Sequence, residues 1–218
     1  MVMIVVGGMI GLGKTSVATI LGEHLKSDVF FEKVEGNDIL PLFYTASPEE
    51  QEAKRYPFLL QLDFLQSRFK DIKRALVHPH NVLDRSIYED WYFAKVNNDL
   101  GRISDIEFKL YEKLLDNMME ELDELPKKAP DLMIYLQGSF ETVMSRIAER
   151  GRDFEQDDEL CDYYYALWKD YDQWVMEQYK ASEVLIINMD EMDVVNSKED
   201  RETFIHQVDE VLTKMNLI

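Results

Sequence analysis

The 218 residues contain one cysteine, Cys161, which excludes an internal disulfide and any cysteine cluster for zinc. Positive charge is scarce: 24 Lys and Arg stand against 43 Asp and Glu, a formal net charge of −19. That balance speaks against a nucleic acid duplex, which needs a basic face, and against an anionic membrane surface. It leaves room for a small anionic ligand, because a pocket can be basic inside an acidic protein. No basic n-region precedes MVMIVV, and that apolar run is too short for a signal h-region or a membrane span. The expected location is therefore the cytoplasm. No internal repeat, low-complexity tract or Pro/Gly/Ser linker divides the chain, so 1–218 reads as one domain with a sizeable core.

Glycine is sparse too, yet four of the nine glycines, Gly7, Gly8, Gly11 and Gly13, crowd into one loop. The segment Gly8-Met9-Ile10-Gly11-Leu12-Gly13-Lys14-Thr15 fits G-x-x-x-x-G-K-[ST] and lies between an expected strand and an expected helix, the context the motif requires. Glycines let consecutive backbone N–H groups turn inward and approach phosphate oxygens, and the following helix adds the positive end of its dipole. Lys14 would reach the β- and γ-phosphates, and the Thr15 hydroxyl would ligate Mg²⁺.

Hydrophobic spacing predicts alternating strands and helices. Expected strands are Val2 to Val6, Val29 to Val34, Asn81 to Leu83, Leu132 to Leu136 and Val184 to Asn188. Expected helices are Thr15 to Leu25 and Ser139 to Arg150, the latter ended by Gly151, then an aromatic helix from Tyr163 to Tyr179 and a last one from Arg201 to Met215. Phe58, Leu62, Leu65, Phe69, Ile72 and Leu76 form one stripe of a further long helix, which His78 and Pro79 end. Ser104 and Glu107 form a capping box before another, with Ile106, Leu110, Leu114, Met118 and Leu122 along one face and Pro126 and Pro130 beyond it. The piece with Asn37, Pro41 and Pro48 reads as turns. The expected fold is α/β, a five-stranded parallel sheet flanked by helices.

A nucleotide switch of the GTPase kind needs D-x-x-G and usually N-K-x-D, and neither is present. A small-molecule kinase needs a carboxylate base, an acid near the metal and arginines for transition-state charge. Asp84-Arg85-Ser86 closes a hydrophobic strand at the sheet edge where ligands bind; the same residues would also serve as a helix cap and a surface ion pair. Arg146 and Arg150 share a helix face and Arg152 follows Gly151, three guanidiniums suited to a triphosphate or to an ordinary solvated helix end. Glu32 ends the second strand, either toward the same edge or toward solvent. Gln61 and Arg68, seven residues apart, share a face beside the apolar stripe, where an amide can read a base edge or simply flank an amphipathic helix.

Together and in this order, these pieces resemble the deoxynucleoside kinase family, from the P-loop to at least the Tyr163 region. LPLFY, DRSIYED and the NMM-E-L-D run look like the bacterial deoxyadenosine/deoxyguanosine kinases of the lactobacillus type. The resemblance implies a P-loop kinase fold with an arginine-bearing lid, ATP as donor, Mg²⁺ as cofactor and a homodimer. It implies Glu32 as general base, here in E-K-V where the family commonly has E-P-V, with Tyr44 and Glu155 near the sugar 3′-hydroxyl. Gln61, Arg68 and Asp90 fall on base-contacting positions. Asp84 falls near Mg²⁺, Arg85 on the 5′-oxygen and the base carboxylate, and Arg146, Arg150 and Arg152 on the lid. Dimerisation would use the helix from Ser104 to Leu125 with the aromatic helix at Tyr163 to Tyr179. The implied acceptor is a deoxynucleoside, deoxyadenosine first, with deoxyguanosine and deoxycytidine as alternatives. The runner-up is a nucleoside monophosphate kinase of the thymidylate kinase type, although Glu32, Tyr44 and Glu155 suit an uncharged hydroxyl acceptor better.

Overall fold

The computed structural model describes residues 2–32, 34, 36–77, 80–123 and 129–218. Lys33 of E-K-V, the helix-ending His78 and Pro79, and Pro126 lie outside the described residues. Five parallel strands, β1 (Val2–Gly8), β2 (Asp28–Phe30), β3 (His80–Asp84), β4 (Leu132–Gln137) and β5 (Glu183–Asn188), form one sheet in the order β2-β3-β1-β4-β5. Every residue of β1 is buried, as a central parallel strand covered on both faces requires. Register sets the C-terminal edge: Val6 pairs with Asp84, and Gly8 pairs with Leu136. The loops after β1 and β3 therefore leave the sheet side by side.

Helices connect the strands: α1 (Lys14–Leu25), α2 (Ile39–Thr45), α3 (Pro48–Lys54), α4 (Tyr56–Ala75), α5 (Ile87–Asp99), α6 (Asp105–Asp123), α7 (Phe140–Arg150), α8 (Cys161–Trp168), α9 (Tyr171–Gln173) and α10 (Lys198–Lys214). The α4 stripe buries Leu65, Phe69 and Ile72 as spaced, and Gln61, Arg68 and Asp71 are buried with it.

Several expectations are corrected. β2 ends at Phe30, where its pairing with Leu83 stops, so Glu32 sits in a loop and not on a strand. The turn-rich piece holds two helices. The Asn37 side chain accepts the amides of Ile39 and Leu40 at the start of α2. Ser47 caps α3, with Pro48 in its first turn, where a missing N–H costs nothing. The aromatic segment from Tyr163 to Tyr179 is broken after Trp168 and passes from α9 into a π-turn at Trp174–Gln178. On α6 the inward residues are Phe108 and Tyr111, whereas Ile106 and Leu110 of the expected stripe face outward, 82% and 48% exposed. Among the described residues no helix is long and apolar enough to cross a membrane.

The expected capping box at α6 is present: Ser104 N and Oγ donate to Glu107 Oε2 at 2.9 and 2.7 Å, and Glu107 N donates back to Ser104 Oγ at 3.4 Å. Arg55 grips the same carboxylate with two N–H groups. The Arg55 hydrogen bonds, aided by Ser104, pull the Glu107 pKa down to about 2. Because the folded pKa lies below the unfolded one, this stabilisation is full above about pH 4.5 and is lost as pH falls toward about 2. Glu107→Gln should lower stability by roughly 1–2 kcal/mol at neutral pH. Urea unfolding at about pH 7 and about pH 3 should show that difference shrinking in acid; a constant difference would remove the charge from the account.

Candidate active site

The P-loop follows β1 directly. Gly8, Gly11 and Gly13 all take positive φ, at 141°, 89° and 86°. At Gly11 the need for glycine is steric as well, since a Cβ would stand 3.0 Å from Ile147 Cγ1 and 3.2 Å from the Val143 carbonyl. Lys14 is buried, and its ammonium donates to the carbonyls of Gly8 and Met9 at 2.8 and 2.9 Å. Burial, with nearby Arg85 second, lowers its pKa to about 8.

The Thr15 hydroxyl donates to Asp84 Oδ2 at 2.6 Å. Asp84 Oδ1 is buried and has no hydrogen-bond partner among the described residues. Burial, then the neighbouring Glu32, raises the Asp84 pKa, a sign that its ionised form wants a cation. No cluster of three or more His, Cys, Asp or Glu able to hold a metal by itself occurs among the described residues. The pair Thr15–Asp84 suits Mg²⁺, which takes one or two protein oxygens and completes its shell with water and phosphate.

Arg85 adopts φ 79°, places its guanidinium 4.3 Å over the Phe93 ring and sets Nε 3.1 Å from Glu32 Oε1. Arg68 reaches from α4 to the same oxygen at 3.1 Å, to Asp90 Oδ2 at 3.2 Å and to the Asp84 carbonyl at 2.6 Å. Burial pushes the Glu32 carboxyl up, but Arg85 and Arg68 outweigh it and hold its pKa below the ordinary value. Both guanidiniums engage Oε1, and Oε2 makes no hydrogen bond among the described residues. Burial raises the Asp90 pKa, with Arg68 and Arg85 opposing, so the pairing with Arg68 moderates the shift without reversing it.

A cavity of about 890 Å³ opens between the P-loop and α4. Glu32, Tyr44, Gln61, Asp84, Arg85, Arg150, Arg152 and Glu155 line it, together with Phe43, Phe64, Phe93 and Tyr163. Arg68 and Asp90 are absent from the lining and stand one layer behind it, 3% and 2% exposed. Tyr44 stacks on Phe154 at 5.6 Å, which joins α2 to the turn after α7. Arg102 lies over both Phe43 and Tyr163, at 4.1 and 4.7 Å, and donates to Gln51 Oε1 at 2.7 Å, fixing that wall.

The three expected arginines do not converge. Arg150 and Arg152 both bind Glu155, the latter at 3.3 Å. Arg146 turns instead to the Met189 carbonyl at 3.3 Å, with Nη1 3.7 Å from where a Gly13 Cβ would sit. Two further residues escaped the sequence reading. Glu89, wholly buried, caps α5 through a second box with Ser86, and Tyr171 donates to it. The S-x-x-E spacing that disclosed Ser104 and Glu107 recurs at Ser86 and Glu89 and would have found the first. The acidic run from Asp190 works as caps: Asp190 accepts Ser139 N at the start of α7, Asp193 accepts Asn196 N, and Asp200 accepts Asp193 N.

The deoxynucleoside kinase family model matches residues 4–213. Over 218 residues the chain is 44% identical to a deoxyguanosine kinase of Lactobacillus johnsonii, covering 99% of this chain and 94% of that one. A deoxyadenosine kinase of Lactobacillus acidophilus is 42% identical over 215 residues, covering 97% of each. The structure of a deoxyadenosine kinase from M. mycoides with dCMP and dCDP bound superposes with a TM-score of 0.75 at 25% identity, over 99% of this chain and 100% of that one.

The Arg68–Asp90 pair carries its own test. Arg68→Met strands the buried Asp90 carboxylate and leaves the half-buried Glu32 with Arg85 alone, and should cost roughly 3 kcal/mol or more. Asp90→Asn in the same chain should recover part of that loss, a coupling of roughly 1–3 kcal/mol from urea midpoints of both single variants and the double. Strict additivity would mean that the pair is not one energetic unit.

Proposed function

The chain belongs to the deoxynucleoside kinase family and is an ATP-dependent phosphotransferase acting on deoxynucleosides; we propose that its acceptor is a purine deoxynucleoside, deoxyadenosine ahead of deoxyguanosine and deoxycytidine. Family membership sets aside the monophosphate kinase and switch readings. The observation that carries the proposal is the buried Arg68–Asp90 pair behind Gln61, whose amide lines the cavity and makes no hydrogen bond among the described residues. An amide offers a donor and an acceptor, which suits an adenine edge. The relatives named for deoxyguanosine and for deoxyadenosine support a purine acceptor, and the order between the two rests on Gln61 alone.

In this reading the P-loop amides from Gly8 to Thr15 cradle the ATP phosphates and Lys14 swings from its carbonyls onto them. Glu32 is the general base for the 5′-hydroxyl, its lowered pKa keeping it ionised and its Oε2 facing the acceptor. Arg85 steadies that carboxylate and meets the 5′-oxygen. Tyr44 and Glu155 hold the sugar 3′-hydroxyl. Arg150 and Arg152 exchange part of their hold on Glu155 for phosphate oxygens, and Arg146 approaches from the Gly13 side. Thr15 and Asp84 would hold Mg²⁺, which neutralises charge on the β- and γ-phosphates when bound. The same proposal places the protein in the cytoplasm, with ATP as ambient donor.

Purified protein with Mg-ATP and each of the four common deoxynucleosides should phosphorylate deoxyadenosine best. Thymidine should be worst by about 100-fold or more in kcat/KM, because it leaves buried polar groups unpaired. Arg68→Met with Asp90→Ala should narrow that gap. A wild-type preference for thymidine would sink the purine assignment.

A homodimer belongs to the same proposal. Ile106 and Leu110 present an outward apolar face on α6, and Leu100 just before it is 46% exposed. Light scattering at micromolar concentration should give twice the chain mass of 25.7 kDa, and Ile106→Glu with Leu110→Glu should halve it. A monomeric wild type would refute the interface.

A further inference from the structure

None of these roles uses Glu89, yet its side chain is wholly buried and its two oxygens take three donors from three segments. Oε1 accepts the Gly8 amide at 2.9 Å and the Tyr171 hydroxyl; Oε2 accepts the Ser86 amide at 2.8 Å. Gly8 opens the P-loop, Ser86 follows Arg85, and Tyr171 belongs to α9, beyond the lid arginines. The contact is tight, since a Cβ on Gly7 would lie 3.0 Å from Glu89 Oε2. Arg85 is pinned on both sides: its own amide donates to Val6 O at 2.9 Å, and the next amide donates to Glu89. Tyr171 is itself fixed, edge-on to Tyr92 at 4.8 Å and stacked on Tyr135 at 5.8 Å. Burial, then Glu89, raises the Tyr171 pKa well above its ordinary value, so its hydroxyl stays a donor.

We infer that Glu89, with Tyr171 as its hydroxyl partner, is a positioning residue for phosphoryl transfer: it locks the backbone at the mouth of the P-loop to the Arg85 corner, so that the segments carrying Lys14 and Arg85 hold one fixed relation across the reacting groups. Glu89 does not touch substrate. Its carboxylate also adds negative charge beside both Lys14 and Arg85, favouring their charged forms. Tyr44, Gln61 and Glu155 of the nucleoside pocket come from other segments, and only Arg85 and the α5 wall at Phe93 adjoin the junction, so its displacement should cost turnover more than acceptor binding.

The inference rests on the proposed placement of Lys14 and Arg85 at the reacting groups. The test measures kcat, KM and Tm for Glu89→Gln, Tyr171→Phe and the double variant, with Val208→Ala, buried in α10, as a destabilised control. The assay uses whichever deoxynucleoside the wild type turns over fastest, so a wrong acceptor assignment leaves it intact. Full activity in Lys14→Ala and Arg85→Ala would fail the site reading rather than this one. A glutamine offers one acceptor oxygen where three donors converge. We expect Glu89→Gln to lower kcat by about 30-fold with the nucleoside KM within about threefold, since small misplacements of reacting groups are costly. Tyr171→Phe should lower kcat several-fold, and the double variant should match Glu89→Gln alone. Val208→Ala should lose Tm and keep kcat. Should Glu89→Gln fail to fold, Tyr171→Phe decides. Wild-type kcat in the folded variants, or losses that track Tm as in Val208→Ala, would overturn the inference.

Discussion

One guanidinium, that of Arg68, ties together the sheet edge at the cavity. It leaves α4 almost fully buried and meets the loop after β2 at Glu32, the end of β3 at the Asp84 carbonyl, and α5 at Asp90. Arg suits this task because its donors form a rigid fork and its charge does not titrate, whereas a lysine would present a single point charge. Around it stand Lys14 and Arg85 as further cations and Glu32, Asp84, Glu89 and Asp90 as carboxylates. Burying so many charges is tolerable because cations and carboxylates interleave and most of their polar atoms are hydrogen-bonded; among the described residues Asp84 Oδ1 and Arg85 Nε are the fully buried exceptions, both on residues that line the cavity.

The sheet makes that cluster possible. Parallel pairing aligns Val6 with Asp84, so the glycine loop after β1 and the turn that begins at Arg85 emerge together. The cluster at this edge is not basic in itself, with Lys14, Arg68 and Arg85 facing four carboxylates, and the further positive charge comes from Arg146, Arg150 and Arg152. Glu155 occupies Arg150 and Arg152 much as a phosphate would, holding both side chains near the cavity and sparing the chain two unpaired cations.

The sequence disclosed what has a local signature. The P-loop glycines, the Ser104 capping box, the Gly151 helix end and the α4 stripe each follow from a few neighbouring residues, and each is in place. What it concealed depends on tertiary packing. Helix α5 buries Glu89, Tyr92 and Val96 as well as the face of Ile87, Asp90, Phe93, Ala94 and Asn97, so burial covers more than half of its circumference and includes polar residues, and no single apolar stripe marks it. Helices α2 and α3 look like turns because Asn37, Pro41, Ser47 and Pro48 serve helix starts and turns equally well. The separation of Arg146 from Arg150 is invisible to an i, i+4 count, since it depends on the Met189 carbonyl arriving from the end of β5.

The corner at Arg85 shows how these levels join. A left-handed backbone at a non-glycine residue costs roughly 1–2 kcal/mol, and glycine would relieve it. Glycine, however, would carry no guanidinium to Glu32 and no cation to lie over Phe93. The strain persists because the flanking groups leave no alternative: Asp84 O is held by Arg68, Arg85 N by Val6 O, and Ser86 N by Glu89. The same turn that distorts the backbone aims the side chain back across the cavity. Without it the strand would continue straight and Arg85 would follow the alternation of β3 to another face. The strained residue is therefore the point where fold and chemistry constrain each other, and the buried carboxylates beside it are what keep it there.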